Sequence, residues 1–557
     1  MSVDAAGAEF ADVRLVTRAW WRSIEAVYFT VDPRSLGVFR IAFALVLLSD
    51  LARRWVDIAY FYTNQGLLPN HTLLWRPPAG RMFSLFFGVS NLDEAHVGFA
   101  LCGAVYLAFL FGFRTRWVQW LVLVARVSLN TRLAVLENGG DMVMDLLCLF
   151  TLPLPLGRRF SLDAVARSVA DARDPSGEAA RATRERLLQP VVSVAMLGLL
   201  LQFSIIYLFN AAAKNGVAWH DGTAVYYALH QDKLVTAFGV WMREHLPLSV
   251  LRALTHGTLA TEWLGFALII TPIFSQQARL IAVCVLPLLH LSFALGLNLG
   301  GFSPAMMSFY PLLLGTVHWR WLERRFGARV SPLAGALTDR ARSLIERYPF
   351  QPLPAVSPLR RRLGEMATLV LMIAIATEVV NDNTPVPQAL RVRQPQWAKA
   401  IIEYPRILQG WRMFSSEPSR VDSMIHVDAT TAAGERVDPY NAVASLQRFP
   451  DGKTVPSHMG QSQFFVMYSD RIANVSYSAY RQAFGEWLLA YPKRTGRPQD
   501  CLVKYEVYYV SDRTPPPGSD ASPEPLERTS FMSYRAPYGD SCQPLKLPES
   551  TTPVAAH

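Results

Sequence analysis

The sequence predicts an all-α multi-pass transmembrane bundle of about nine spans, followed by a C-terminal extramembrane domain that is β-rich or α+β. Three observations predict it. Of 557 residues, 51% are hydrophobic and 18% charged, where a soluble chain carries about a quarter charged residues. The apolar residues are clumped into runs such as VVSVAMLGLLLQFSIIYLF (191–209) and LIAVCVLPLLHLSFALGLNL (280–299), and roughly 20 such residues cross a bilayer. After Asn381 the runs stop and strand-like alternation begins.

In chain order, the candidate spans cover 35–52, 95–113, 117–135, 141–156, 190–212, 253–274, 279–298, 303–318 and 363–380. Ahead of them, residues 8–28 mix Phe10, Trp20 and Trp21 with arginines. They read as an interfacial helix or as a helix packed on the bundle. The first apolar run begins near Ser35, too late for a cleavable signal peptide. The organisation is then a 1–30 interfacial helix, a 31–325 bundle, a 326–362 basic cytoplasmic loop, a 363–381 last helix and a 382–557 outer domain with a disordered tail after Pro544.

The net charge of +10 would point a soluble protein towards nucleic acid. Here no nucleic-acid motif accompanies it, and the basic residues fall between spans. Arg14, Arg18, Arg22, Arg114, Arg116, Arg158, Arg159, Arg279, Arg320 and Arg360 all fall on one side. The positive-inside rule makes that side cytoplasmic, with the N-terminus inside and the C-terminal domain outside. Arg53 and Arg54 are a local exception. The composition fits a bacterial plasma membrane.

In the C-terminal domain, VDSMIHVDATTAAGERVDPY (421–440) reads as two strands around a glycine turn. LVKYEVYYV (502–510) reads as a strand with Val503, Tyr505 and Val507 on one face, AYRQAFGEWLLAY (479–491) as a helix, and RTPPPGSDASPEP (513–525) as a loop. Cys102, Cys148 and Cys284 read as packing residues inside apolar runs. Cys501 and Cys542 could pair in an oxidising compartment. No Cys/His cluster has zinc spacing, so no metal is expected. The sequon at Asn474 would matter only in a eukaryotic secretory compartment.

Ionisable groups in hydrocarbon cost several kcal/mol unless paired or hydrated, which makes them functional candidates (~2.5–3.5 kcal/mol on insertion scales). Arg40, Asp50, Arg126, Arg132, Glu137, Asp141, Asp145, Lys214, Asp221, Glu262, His290 and Glu378 qualify. Glu262 is one possible partner for Arg40. The outward loops 60–69, 136–145, 210–229 and 298–304 combine Gly and Asn with acidic or aromatic residues beside apolar runs. Irregular backbone at membrane depth is tolerated where it lines a cavity, so these loops predict one outward-opening cavity. Lys214 is the sharpest candidate, five residues before Trp219. In an apolar pocket its neutral amine becomes available as a base; as a snorkelling anchor beside a belt tryptophan it would have no chemistry. His290 reads equally as a packing residue or as a catalytic one. Trp219, Asp221, Asn138 and Asn298 are candidate substrate-binding residues.

Several of these segments share a resemblance. DPRSLGVFRIAFALVLLSDL (32–51), FYTNQGLLP, ENGGD, YLFNAAAKNGVAWHDGTAVYYAL and LLHLSFALGLNLGGFSPAMMSFYPLLL (288–314) resemble the HTTM family, which includes the vitamin K-dependent γ-glutamyl carboxylases. QGWRMFSSEP (409–418) is similar to the segment after the last span in many relatives. The resemblance implies a possible lyase chemistry in which Lys214 is the base that deprotonates reduced vitamin K or a menaquinone, with Asp141 and His290 as polar partners and a secreted peptide or protein as substrate. Two positions depart from the pattern: Asp141 stands where the carboxylases have a histidine, and no second lysine flanks Lys214, where Ala213 and Asn215 stand. A non-enzymatic alternative is a bundle that binds a lipid or partner protein for export or maturation. A transporter is a third, but no inverted repeat accompanies the spans.

Overall fold

The computed structural model describes residues 22–75, 81–174, 176–354, 356–441, 462–519 and 526–536. The expected tail after Pro544, Cys542 and most of the 8–28 segment lie outside them. Ten helices organise the bundle: α1 (Pro33–Val56), α2 (Leu92–Phe111), α3 (Thr115–Arg132), α4 (Gly139–Thr151), α5 (Val194–Ala213), α6 (Leu248–Ile270), α7 (Ser275–Gly296), α8 (Phe302–Phe309), α9 (Thr316–Arg347) and α10 (Pro358–Asp382).

Their starts follow from local chemistry. Asp32 accepts the Arg34 N–H ahead of Pro33, Asn91 and Glu94 form a capping box, Ser193 caps α5, and Ser357 caps α10 ahead of Pro358. Each satisfies amides that a helix start leaves without partners.

Six of these helices, α1, α2, α5, α6, α7 and α10, are long and apolar enough to cross a membrane. The other three expected spans are helical but different in kind. α3 carries the fully buried Arg126 and Arg132. α4 has 13 residues, about 20 Å of helix, short of a hydrocarbon core of about 30 Å. The run at 303–318 is α8, a tight turn at Tyr310–Leu313, and then the start of α9. The 326–362 segment, expected as a loop, is therefore helical for most of its length.

Contacts sort the helix ends into two groups. At one end the Ser35 hydroxyl donates to the Leu314 carbonyl (2.7 Å), Asp163 accepts from the Thr115 amide (2.7 Å), and Tyr28 donates to the Ile270 carbonyl (2.9 Å). β1 (Thr30–Val31) pairs antiparallel with β2 (Val191–Val192) there. At the other end Arg132 donates to the Leu68 carbonyl (2.8 Å) and Gly216 to the Ser416 carbonyl (3.0 Å). Arg40 pairs with no carboxylate of α6. Its guanidinium donates to the carbonyls of Leu110, Leu156, Arg159 and Phe160, because those chain turns close over α1 at this end while Glu262 is held elsewhere.

After α10 the chain builds a four-stranded antiparallel sheet in the order β4-β3-β5-β6, with β3 (Val421–Thr431), β4 (Arg436–Val437), β5 (Leu502–Arg513) and β6 (Glu527–Arg535). Tyr505 and Val507 are buried as the alternation predicts, while Val503 is only half-buried. β6 escapes sequence reading: it is an edge strand whose first four residues are exposed, so it carries little apolar patterning. Helices α11 (Gln396–Glu403), α12 (Gln463–Ala473) and α13 (Arg481–Leu489) accompany the sheet. This part shares one apolar core with the bundle. The rings of Tyr60 and Phe61 meet Phe465 edge-on at 5.3 and 5.2 Å, and Arg54 lies over the Phe464 ring. Cys501 is disulfide-bonded; Cys102 and Cys148 are free and buried, and Cys284 is free and exposed.

The α4–α8 crossing depends on Gly140. A Cβ there would lie 2.6 Å from the Phe302 backbone nitrogen, and backbone cannot yield. Gly140→Ala should cost about 1–3 kcal/mol, as overpacking does. A lowered thermal midpoint in detergent is the expected readout.

Candidate functional site

Lys214 is the first residue beyond α5, at the end where the α1–α2, α5–α6 and α7–α8 connections gather. Its side chain is nearly buried (3% exposed) and its ammonium donates to both carboxylate oxygens of Glu262 on α6, each at 2.7 Å. The two helices approach closely because Gly265 of α6 lets the Tyr207 ring of α5 sit against its backbone. The ammonium also stands 5.1 Å from the Trp219 ring centroid, a cation–π geometry.

A strap from the segment after α10 roofs this pair. The Met413 amide donates to the Asn210 side-chain oxygen (2.9 Å), the Trp219 indole to the Phe414 carbonyl (3.1 Å), and the Ala218 amide to Glu417 (3.0 Å). Below lies a cavity of about 990 Å³, counted out to its open mouth, lined chiefly by apolar side chains of α5, α6, α7 and α8. Its polar groups are few: Lys214, Glu262, Asn210, Thr258, Ser292, Tyr207 and His290. His290 Nε2 meets the Tyr207 hydroxyl at 2.8 Å, and that hydroxyl also bonds Tyr310. The other imidazole nitrogen, Nδ1, is buried without a hydrogen-bond partner among the described residues. A largely apolar cavity with a few convergent polar groups is the usual form of a small-molecule site.

Lys214, His290 and Trp219 thus line one cavity. Glu262, an ionisable candidate, lines it too, whereas Asp221, Asn138, Asn298 and Asp141 do not. Asp221 accepts from the Thr223 amide and hydroxyl (2.9 and 2.6 Å), closing a turn. Asn138 caps α4, with Asp141 completing the capping box. Asn298 donates its amide to the Leu234 carbonyl (2.6 Å), while its neighbours Leu297 and Leu299 face the cavity. The isolated amine expected at Lys214 is instead half of an ion pair, since an ammonium in an apolar wall needs a counter-charge.

Asp141 belongs to a separate buried cluster. It accepts from Arg54 (2.5 Å) and Arg126 (2.6 Å). Asp50 accepts from Arg54 and Arg53, both at 2.7 Å. Asp145 lies 3.4 Å from Arg126 and accepts from Asn130 (2.7 Å). Phe302 stands between the two sites: it lines the cavity on one side and packs on Gly140, next to Asp141, on the other.

Tyr207 and Tyr310 are site residues that sequence reasoning did not single out, and Glu262 was a candidate read as a possible partner of Arg40 rather than of Lys214. Glu262 carried a signal as an acid within an apolar run; the two tyrosines carried none, because a buried tyrosine in a span is ordinarily packing. No family model, curated protein or solved structure matches this chain.

Proposed function

We propose that this chain is an integral membrane enzyme of the vitamin K-dependent γ-carboxylase-like (HTTM) type, which binds a reduced isoprenoid quinone in the Lys214 cavity and modifies a peptide or protein at the outer face. The observation that carries the reading is the buried Lys214–Glu262 pair in an apolar cavity. The lining fits the group: an aromatic, largely apolar ring system would find few unpaired polar atoms there, and its hydroxyls would find the Lys214–Glu262 pair.

The chain's own residues supply the acid–base chemistry. Transfer of a proton from the Lys214 ammonium to the Glu262 carboxylate leaves a neutral amine. That amine can take the proton of a ligand hydroxyl, and the ammonium restored at Lys214 then balances the oxyanion. His290 contributes to the cavity wall, with its ring fixed by the Tyr207 hydroxyl. The apolar walls exclude water. When bound, the reduced quinone would supply, on oxygenation, the strong base needed to remove the weakly acidic γ-hydrogen of glutamate.

Orientation belongs to the same proposal. The basic clusters put the Ser35–Leu314 end in the cytoplasm by the positive-inside rule, and a disulfide at Cys501 fits an outer, oxidising compartment for the sheet. A bacterial plasma membrane suits both.

The test is quinone epoxidation and labelled-CO2 incorporation into a glutamyl peptide by purified protein. Lys214→Ala is expected to lower either rate by about 10²–10⁴-fold, the usual contribution of a general base. Equal rates for wild type and variant would remove Lys214 from the role. One observation favours a second, non-enzymatic reading: Asp141 is held by two arginines away from the cavity. On that reading native mass spectrometry would find a bound lipid or partner protein with no quinone turnover.

A further inference from the structure

α9 is the longest helix described, with 32 residues, about 48 Å, and only His318 and Ile345 of it are buried. Both of its ends are tied to the same end of the bundle. At its start, Thr316 donates to Asp32 (2.8 Å), Trp319 to the Ser35 hydroxyl (2.7 Å), and Arg34 to Glu323 (2.7 Å). Just past its finish, Phe350 meets Phe113 edge-on at 5.1 Å, and the Leu353 and Pro354 carbonyls accept from Arg167 (2.8 Å) and Arg116 (2.6 Å). Asp32 opens α1, while Phe113 and Arg116 lie at the α2–α3 turn, and these belong to one end. A helix that begins and finishes at the same end of a membrane bundle lies across that end.

Its exposed surface is two-sided. Phe326, Val330, Leu333, Leu337, Leu344 and Tyr348 are exposed and recur at steps of three, four and seven, which places them on one face of a helix. Arg325, Arg329, Arg340 and Arg347 are also exposed, and the same spacing sets them along one edge of that stripe. Over 316–348 there are seven arginines against three acids, and one of those acids, Glu323, is already paired with Arg34.

We propose that α9 is a membrane-surface helix whose apolar stripe enters the interfacial layer and whose arginine edge binds the phosphates of anionic phospholipid headgroups. Three observations favour this occupant. The helix lies at one end of a bundle with six helices long and apolar enough to cross a membrane. Its long axis runs across the bundle end. Its excess charge is positive, which suits an anionic surface and opposes a second copy of the same helix. The proposal is independent of any chemistry at Lys214.

The test uses the full chain in nanodiscs of phosphatidylcholine with increasing phosphatidylglycerol. A nitroxide is placed at Leu337→Cys, or at Ser331→Cys on the opposite face, in a Cys284→Ser background. The Leu337 label should be reached by oxygen and shielded from a water-soluble nickel chelate, increasingly so with phosphatidylglycerol; the Ser331 label should show the reverse. Replacing Arg329, Arg340 and Arg347 by Gln should weaken the lipid-dependent immersion by about fivefold per arginine. A Leu337 label open to nickel in both lipids, an immersion indifferent to phosphatidylglycerol, or a short dipolar distance between labels on two copies would each overturn it. The lipid titration of the charge-intact protein stands even if the triple variant folds poorly.

Discussion

Glu262→Ala is expected to destabilise the protein by about 3–5 kcal/mol, the usual result of removing one partner of a buried ion pair. Among the described residues, the Lys214 ammonium would keep only the Asn210 carbonyl at 3.4 Å and the face of Trp219 as compensation inside an apolar wall. Lys214→Ala should cost a similar amount by leaving the carboxylate alone. The informative variant is the double one, Lys214→Met with Glu262→Leu. Apolar replacement of a whole buried pair is often neutral or stabilising, so the double variant should recover most of the lost thermal midpoint in detergent. If the cavity is catalytic, the same stable double variant should have no activity. Stability and chemistry would then separate, and a double variant as unstable as the single ones would show that the pair's hydrogen-bond geometry, not its charge balance, holds α5 to α6.

What the sequence made legible divides along a physical line. Apolar runs are a local property, and they located α1, α2, α5, α6, α7 and α10 to within a few residues; the structure adds the caps at Asp32, Asn91, Ser193 and Ser357 that set the starts of α1, α2, α5 and α10. The Lys214–Trp219 spacing is also local, and both residues meet in the cavity, joined by His290 from α7. Pairing between helices is not local. Glu262 lies 48 positions from Lys214, and nothing along the chain distinguishes it as partner to Lys214 rather than to Arg40. Asp141 failed to reach the cavity for the same reason. Its neighbours in sequence place it at an outward loop, but Arg54 and Arg126 from two other helices draw it into their own cluster. The strap at 410–418 was visible only as a resemblance, since its bonds to Asn210 and Trp219 exist only once α10 has returned the chain to this end.

The Asp141 cluster carries the second large expected effect. Three carboxylates, Asp50, Asp141 and Asp145, are all buried, and they face two buried arginines, Arg54 and Arg126, with Arg53 at the rim. Arg126 is the cation shared between Asp141 and Asp145, and without it the Asn130 amide is the one hydrogen-bond donor left to Asp145 among the described residues. Arg126→Met should therefore cost about 3–5 kcal/mol, read as a lowered denaturation midpoint. Adding Asp145→Asn should return a large part of it, because the carboxylate stranded by the first change is then uncharged. Arg126→Lys should rescue less than Asp145→Asn does, since one ammonium cannot present the planar fork that reaches two carboxylates. This cluster and the Lys214–Glu262 pair share no hydrogen-bond partner and are separated by Phe302. Their stability losses should then add, and Arg126→Met/Asp145→Asn should leave the cavity's ligand affinity close to wild type. Loss of that affinity would mean that Phe302 transmits the state of the cluster to the cavity, making Asp141 a positioning residue for a site it does not touch.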